Sequence, residues 1–229
     1  MSVWDEYNQE LDQEEVGFSF AGQDLDIGNE VQEEIDAWSG RVETDSEVYE
    51  RLQAYWDNLG VTGWTPSGTP WSGAFVSYIL RNEGFDGDGL HAAYVRDIMD
   101  NKYRNWSAHS IPLNLYANDG VEVNIGDVLL AERSGSYTAG HGDVVYRIDE
   151  SAGKVYLVGG NLSNGLRVRS IDLMQSPDYA SRALSGGASG HDKYGYKIIL
   201  KKGLTQKKMS LPWYAYVAAG LGIWILTKS

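Results

Sequence analysis

The chain has 229 residues, 42% hydrophobic and 12% aromatic, with 27 glycines, no cysteine and a formal net charge of −13. That length holds one domain with a full core plus appendages, since domains commonly run to about 100–200 residues. The missing cysteines exclude disulfides, thiolate metal sites and a thiol nucleophile, and the acidic balance argues against general binding to nucleic acid, which needs a basic surface.

The first 27 residues are acidic, glycine-spotted and only weakly periodic, and read as an arm ordered by a partner or not at all. Their start, "MSVWDEYNQELDQEE", has neither a basic opening nor an apolar stretch, so no secretory signal is expected there. Residues 28–59 read as two helices. Val31, Ile35 and Trp38 recur at helical spacing, and Val48, Leu52, Tyr55 and Leu59 repeat it after "TDSE", where Asp45 or Thr44 is placed to cap and Gly60 to close.

A loop rich in Gly, Thr and Pro leads to residues 71–83, which are apolar nearly all round and predict a buried central helix. A further helix is expected over 90–104, "LHAAYVRDIMDNKYR". From Val121 the texture changes to short β-rich runs: "GDVLLAE", "GDVVYRI", "KVYLVGG", "LRVRSIDL" and "YGYKIIL". Helices first and strands afterwards predict an α+β domain with an antiparallel sheet.

The carboxyl-terminal region differs in character. "LPWYAYVAAGLGIWIL", Leu211 to Leu226, carries no charge and follows Lys207 and Lys208. As a helix it would reach about 24 Å, against a hydrocarbon core of about 30 Å. Trp213, Tyr214, Tyr216 and Trp224 resemble interfacial aromatic belts, so a tail anchored in a lipid bilayer is expected, with docking into a protein groove as the alternative. The expected organisation is an acidic arm and helix over 1–40, a domain over 41–203, and a basic linker with anchor over 204–229.

Ser72 follows Pro70 and Trp71 at the mouth of the central helix, where unpaired N–H groups and the helix dipole favour a developing oxyanion. Serine is also common near helix starts for capping reasons. His141 stands at a predicted strand mouth after a glycine-rich turn, and Asn161 ends the strand "VYLVGGN", where its amide could hold an imidazole ring. Asp143, two residues past His141, shares its strand face and is a second candidate orienter. Asp86 and Asp88 read as a solvated turn rather than a calcium loop. His91, His109, His141 and His191 lack zinc-ligand spacing, so no metal or other cofactor is expected.

The order "PWSGAFVSYIL", "GDVLLAER", "HGDVVYRID", "VYLVGGN" resembles the CHAP and NlpC-like cell-wall amidases and endopeptidases. It is closer still to an uncharacterised relative in which serine replaces the family's cysteine, a His-x-x-Tyr follows and the last motif is G-G-N. The likeness runs from about Val48 to Leu173. It implies a papain-like core, Ser72 as nucleophile, His141 as base and Asn161 near the orienter, with His91 and Tyr94 of the middle motif and Arg133 after G-D-L as substrate-binding residues. Trp64, Trp71 and Tyr94 are the expected groove lining.

Two departures bear on chemistry. A hydroxyl replaces the thiol, and serine needs a true general base where cysteine can form a thiolate. The family's acid on the last strand is Gly159 or Gly160 here. The reading implied is a hydrolase of bacterial peptidoglycan, held at a phage virion membrane or a bacterial inner membrane by its tail. The alternative is a degenerate, membrane-anchored structural or binding protein whose acidic arm docks a virion or membrane partner.

Overall fold

The computed structural model describes residues 24–110, 123–131, 140–149, 151–172 and 196–203. Arg133 and the apolar stretch Leu211 to Leu226 lie outside the described residues, as does most of the acidic arm. No helix among the described residues is long and apolar enough to cross a membrane.

Four α-helices precede or flank a six-stranded sheet among these residues: α1 (Asp24–Trp38), α2 (Ser46–Asp57), α3 (Ser72–Ile79), α4 (His91–Met99), then β1 (Trp106–Ser110), β2 (Val128–Ala131), β3 (His141–Asp149), β4 (Lys154–Leu162), β5 (Gly165–Asp172) and β6 (Tyr196–Lys202). The strands lie in the order β1-β6-β2-β3-β4-β5, and every neighbouring pair is antiparallel. The α+β class with an antiparallel sheet is therefore as the strand texture predicts.

Strand alternation divides the sheet residues between two apolar clusters. Val128, Leu130, Val144, Tyr146, Val158, Ile198 and Leu200 join the helices in one. Leu129, Val145, Leu157, Tyr196 and Ile199 form the other. Burial on both faces explains why β2 and β6 read as continuous apolar runs rather than alternating ones.

Helix α1 begins four residues earlier than its periodicity suggests and sends Ile27, Val31, Ile35 and Trp38 into the same core as α3. It is tied to α2 by a buried polar chain. The Trp38 indole donates to the Tyr55 hydroxyl at 2.9 Å, Tyr55 donates to Glu34, and Arg51 donates to Glu34 at 2.6 Å. At the start of α2, Asp45 occupies the cap position but its carboxylate does not cap the helix. It turns back to accept the Val42 N–H at 2.9 Å, closing the preceding turn instead. Gly60, at φ +65°, ends the segment as expected.

Helix α3 is enclosed almost all round, as its composition predicts. It stops at Ile79, and a short 3₁₀ turn over Arg81–Glu83 and Gly84 at φ +68° finish the segment. Helix α4 ends at Met99 rather than near residue 104. Asn101 is left-handed there, at φ +58°, and frees the chain to enter β1. β1 has no counterpart in the sequence reading. Among the described strands it lies at the edge and pairs only with β6, and "WSAHS" carries no β-branched residue.

Candidate active site

Ser72 is the first residue of α3, with Trp71 before it in a non-helical conformation. The N–H groups of the first turn have no acceptor four residues back, so they are available at the helix mouth. The helix is fixed from behind by Trp71. That indole is fully buried, stacks on Trp38 with ring centroids 4.6 Å apart, and donates to the Glu43 carboxylate at 2.8 Å. Trp71 is therefore a core residue, and its expected place in a substrate groove is corrected.

The partner of Ser72 is the unexpected feature. Its Oγ lies 2.8 Å from Nε2 of His91, the first residue of α4, and Nδ1 of His91 hydrogen-bonds the Tyr94 hydroxyl one helical turn on. Two glycines permit this. A side chain at Gly73 would collide with the carbonyl of Gly89, so α3 and the loop into α4 approach backbone to backbone. Gly142 of β3 faces His91 and Tyr94 closely: an added Cβ would stand 2.9 Å from His91 Nδ1 and 2.9 Å from the Tyr94 oxygen. Asp88 takes a structural part, its carboxylate accepting the Leu90 N–H at 2.8 Å just ahead of α4.

A second histidine stands beside the first. The rings of His91 and His141 are 5.7 Å apart, edge to face. His141 makes no hydrogen bond to Ser72. Its Nε2 engages Asp143 at 3.2 Å, and its Nδ1 is buried with no hydrogen-bond partner among the described residues. The expected Asn161–His141 contact is thus absent. Asn161 sits at a bulge near the end of β4 with a left-handed backbone, φ +59°, immediately before the Ser163–Asn164 hairpin turn.

The carboxylate missing from β4 arrives from β3. Asp143 is fully buried, and its other oxygen accepts hydrogen bonds from Arg169 of β5 and Tyr196 of β6. Gly159 leaves the space it needs. A Cβ there would overlap the Asp143 carboxylate and stand 2.8 Å from His141 Nε2. Burial alone would raise the Asp143 carboxyl, but the charges of Arg169 and His141 and the bonds from His141 and Tyr196 outweigh it and hold it well below the usual carboxylate range.

The phenol of Tyr94 moves the other way. Burial foremost, then the charge of Asp143, raises it well above its ordinary value, so it remains neutral. A base-competent His91 carries its proton on Nδ1, donated to the Tyr94 oxygen, and accepts the Ser72 proton at Nε2. The orienting group is then a neutral phenol, with the Asp143 charge close enough to perturb it.

Trp64 is half-buried and pairs with Trp56 and with exposed Tyr49, at centroid distances of 6.5 and 5.5 Å. Arg169 and Tyr196 were not among the expected site residues. Among the expected ones, the structure brings together Ser72, His91 and Tyr94, and separately His141 and Asp143.

No protein-family model, curated protein or solved structure matches the chain.

Proposed function

We propose that the protein is a serine-dependent amide hydrolase acting on bacterial peptidoglycan, with Ser72 as nucleophile and His91 as its general base. One observation carries the reading: Ser72 Oγ and His91 Nε2 are 2.8 Å apart at the amino-terminal mouth of a buried helix. A hydroxyl nucleophile needs a base within hydrogen-bond reach and donors for the oxyanion, and this position has both. Ser72 would attack the amide carbonyl, its proton passing to His91, and the N–H groups of the first turn of α3 would hold the oxyanion until the amine leaves.

The substrate class rests on the motif order, which resembles the CHAP and NlpC-like enzymes, and so does the finer fold assignment to a papain-like core. The helix-borne Ser72 facing a sheet that carries His141 and Asp143 is compatible with both. In this proposal Leu211 to Leu226 anchors the domain to a bilayer, in a virion or in a host cell envelope. A second reading, a binding scaffold derived from such an enzyme, is favoured by the enclosure of the site: Ser72 is 7% exposed and His91 6%.

Incubation of full-length protein with purified peptidoglycan separates the two. The enzyme releases new amino groups, and Ser72→Ala and His91→Ala each lower that release by about 10³-fold or more. Release that persists in Ser72→Ala, or no release by the parent from walls of several species, would leave the scaffold reading standing.

A further inference from the structure

Resting on the assignment of Ser72 and His91 as nucleophile and base, we propose that His141 is a second acid–base group, reserved for the substrate side of the reaction, while His91 serves Ser72 alone. The geometry divides the two imidazoles in this way. His91 Nε2 is occupied by Ser72 Oγ, and its Nδ1 by Tyr94. His141 has one nitrogen on Asp143 and leaves Nδ1 without a partner among the described residues, although the ring is 2% exposed and 5.7 Å from that of His91.

A buried polar atom without a partner is costly, on the order of 1–3 kcal/mol. A proton donated to or taken from substrate at Nδ1 gives that cost a purpose. The Asp143 side of the ring is overdetermined: Arg169 and Tyr196 fix the carboxylate, and Gly159 leaves it room. That clamp holds His141 in one orientation and keeps a negative charge against its Nε2–H.

The protons balance over a turnover. In acylation Ser72 Oγ bonds to the carbonyl carbon and its proton moves to His91 Nε2. The C–N bond then breaks with its electron pair on nitrogen, which takes the proton from His141 Nδ1. In deacylation water attacks the ester carbonyl and gives a proton to His141 Nδ1, restoring it. The C–Oγ bond breaks with its pair on Oγ, which recovers its proton from His91. Each imidazole ends as it began, and one amide and one water have become an acid and an amine.

The test compares a leaving group that needs a proton with one that does not, using full-length protein, purified peptidoglycan and p-nitrophenyl acetate. In His141→Gln release from peptidoglycan falls by about 10²-fold or more, the usual worth of a general acid–base group, and by at least about 10-fold more than the ester burst does, because only the amide needs a proton on its leaving group. Deacylation also slows in that variant, so a nitrophenol burst is followed by slow turnover and mass spectrometry finds the acetyl group on Ser72. Imidazole added to His141→Ala accelerates the slow phase, which a merely structural role would not allow.

Equal loss of the ester burst and of peptidoglycan release in both variants, with no imidazole rescue, overturns the division of labour. A parent whose ester burst survives Ser72→Ala overturns the underlying assignment, and this proposal with it. A Ser72-dependent burst that His141→Gln leaves followed by normal turnover defeats this proposal alone.

Discussion

Asp143 is the residue on which the site's electrostatics converge, since it joins His141, Arg169 and Tyr196 in one buried cluster. Its folded carboxyl titrates below the ordinary value of about 3.9, so the cluster contributes stability that is complete above that pH and is lost as pH falls beneath it. Urea midpoints measured from neutral pH down to about pH 2 should therefore fall more steeply for the parent than for Asp143→Asn; parallel curves would show that the cluster is not ionised as described. Glu34 acts in the opposite sense, because burial raises its carboxyl against the opposing Tyr55 and Arg51, but it is present in both proteins and cancels in the comparison. At this scale the sequence was informative about residue types and silent about pairing. Asp143 could be placed on the face of His141 by strand alternation alone. The Ser72–His91 bond could not, because it depends on Gly73 letting two chain segments meet, and a lone glycine does not announce what it approaches.

The elements themselves were legible where periodicity or composition was strong. Helices α2 and α3 and strands β2 to β6 follow from apolar spacing and β-rich runs, and the misplaced boundaries fall where a single polar residue decides. Asn101 ends α4 early through a left-handed backbone that its neighbours do not signal. β1 escaped because its inward residues, Trp106 and Ala108, alternate with serines and a histidine and need only one partner strand. The element that carries Ser72 is held by a polar anchor as well as by packing: Trp71, at the entry to α3, donates to buried Glu43 in the connection between α1 and α2. Trp71→Phe keeps most of the ring but strands the carboxylate, and should lower unfolding stability by about 1–3 kcal/mol by chemical denaturation. A smaller change would mean that Glu43 finds another donor.

Across the described strands, the order β1-β6-β2-β3-β4-β5 places the last of them in the chain in the interior of the sheet. β6 holds β1 on one side and β2 on the other, contributes Ile198 and Leu200 to the helix-side core, and delivers Tyr196 to Asp143. Without it, β1 has no partner among the described strands and β2 loses one of its two. A chain ending at residue 195 should accordingly show no cooperative thermal transition, whereas a sharp melt from that truncation would mean that the other strands form a sheet unaided. Such long-range pairing is slow to form, because loop closure precedes the contacts that reward it. The same order has a meaning for synthesis. As the polypeptide emerges, Ser72 and His91 are present long before the strand that completes the support of His141, so the proposed second histidine is the part of the site that matures last. A nascent chain would carry the Ser72–His91 pair while the clamp on His141 was still unmade, and under the proposed mechanism competence would arrive only with β6.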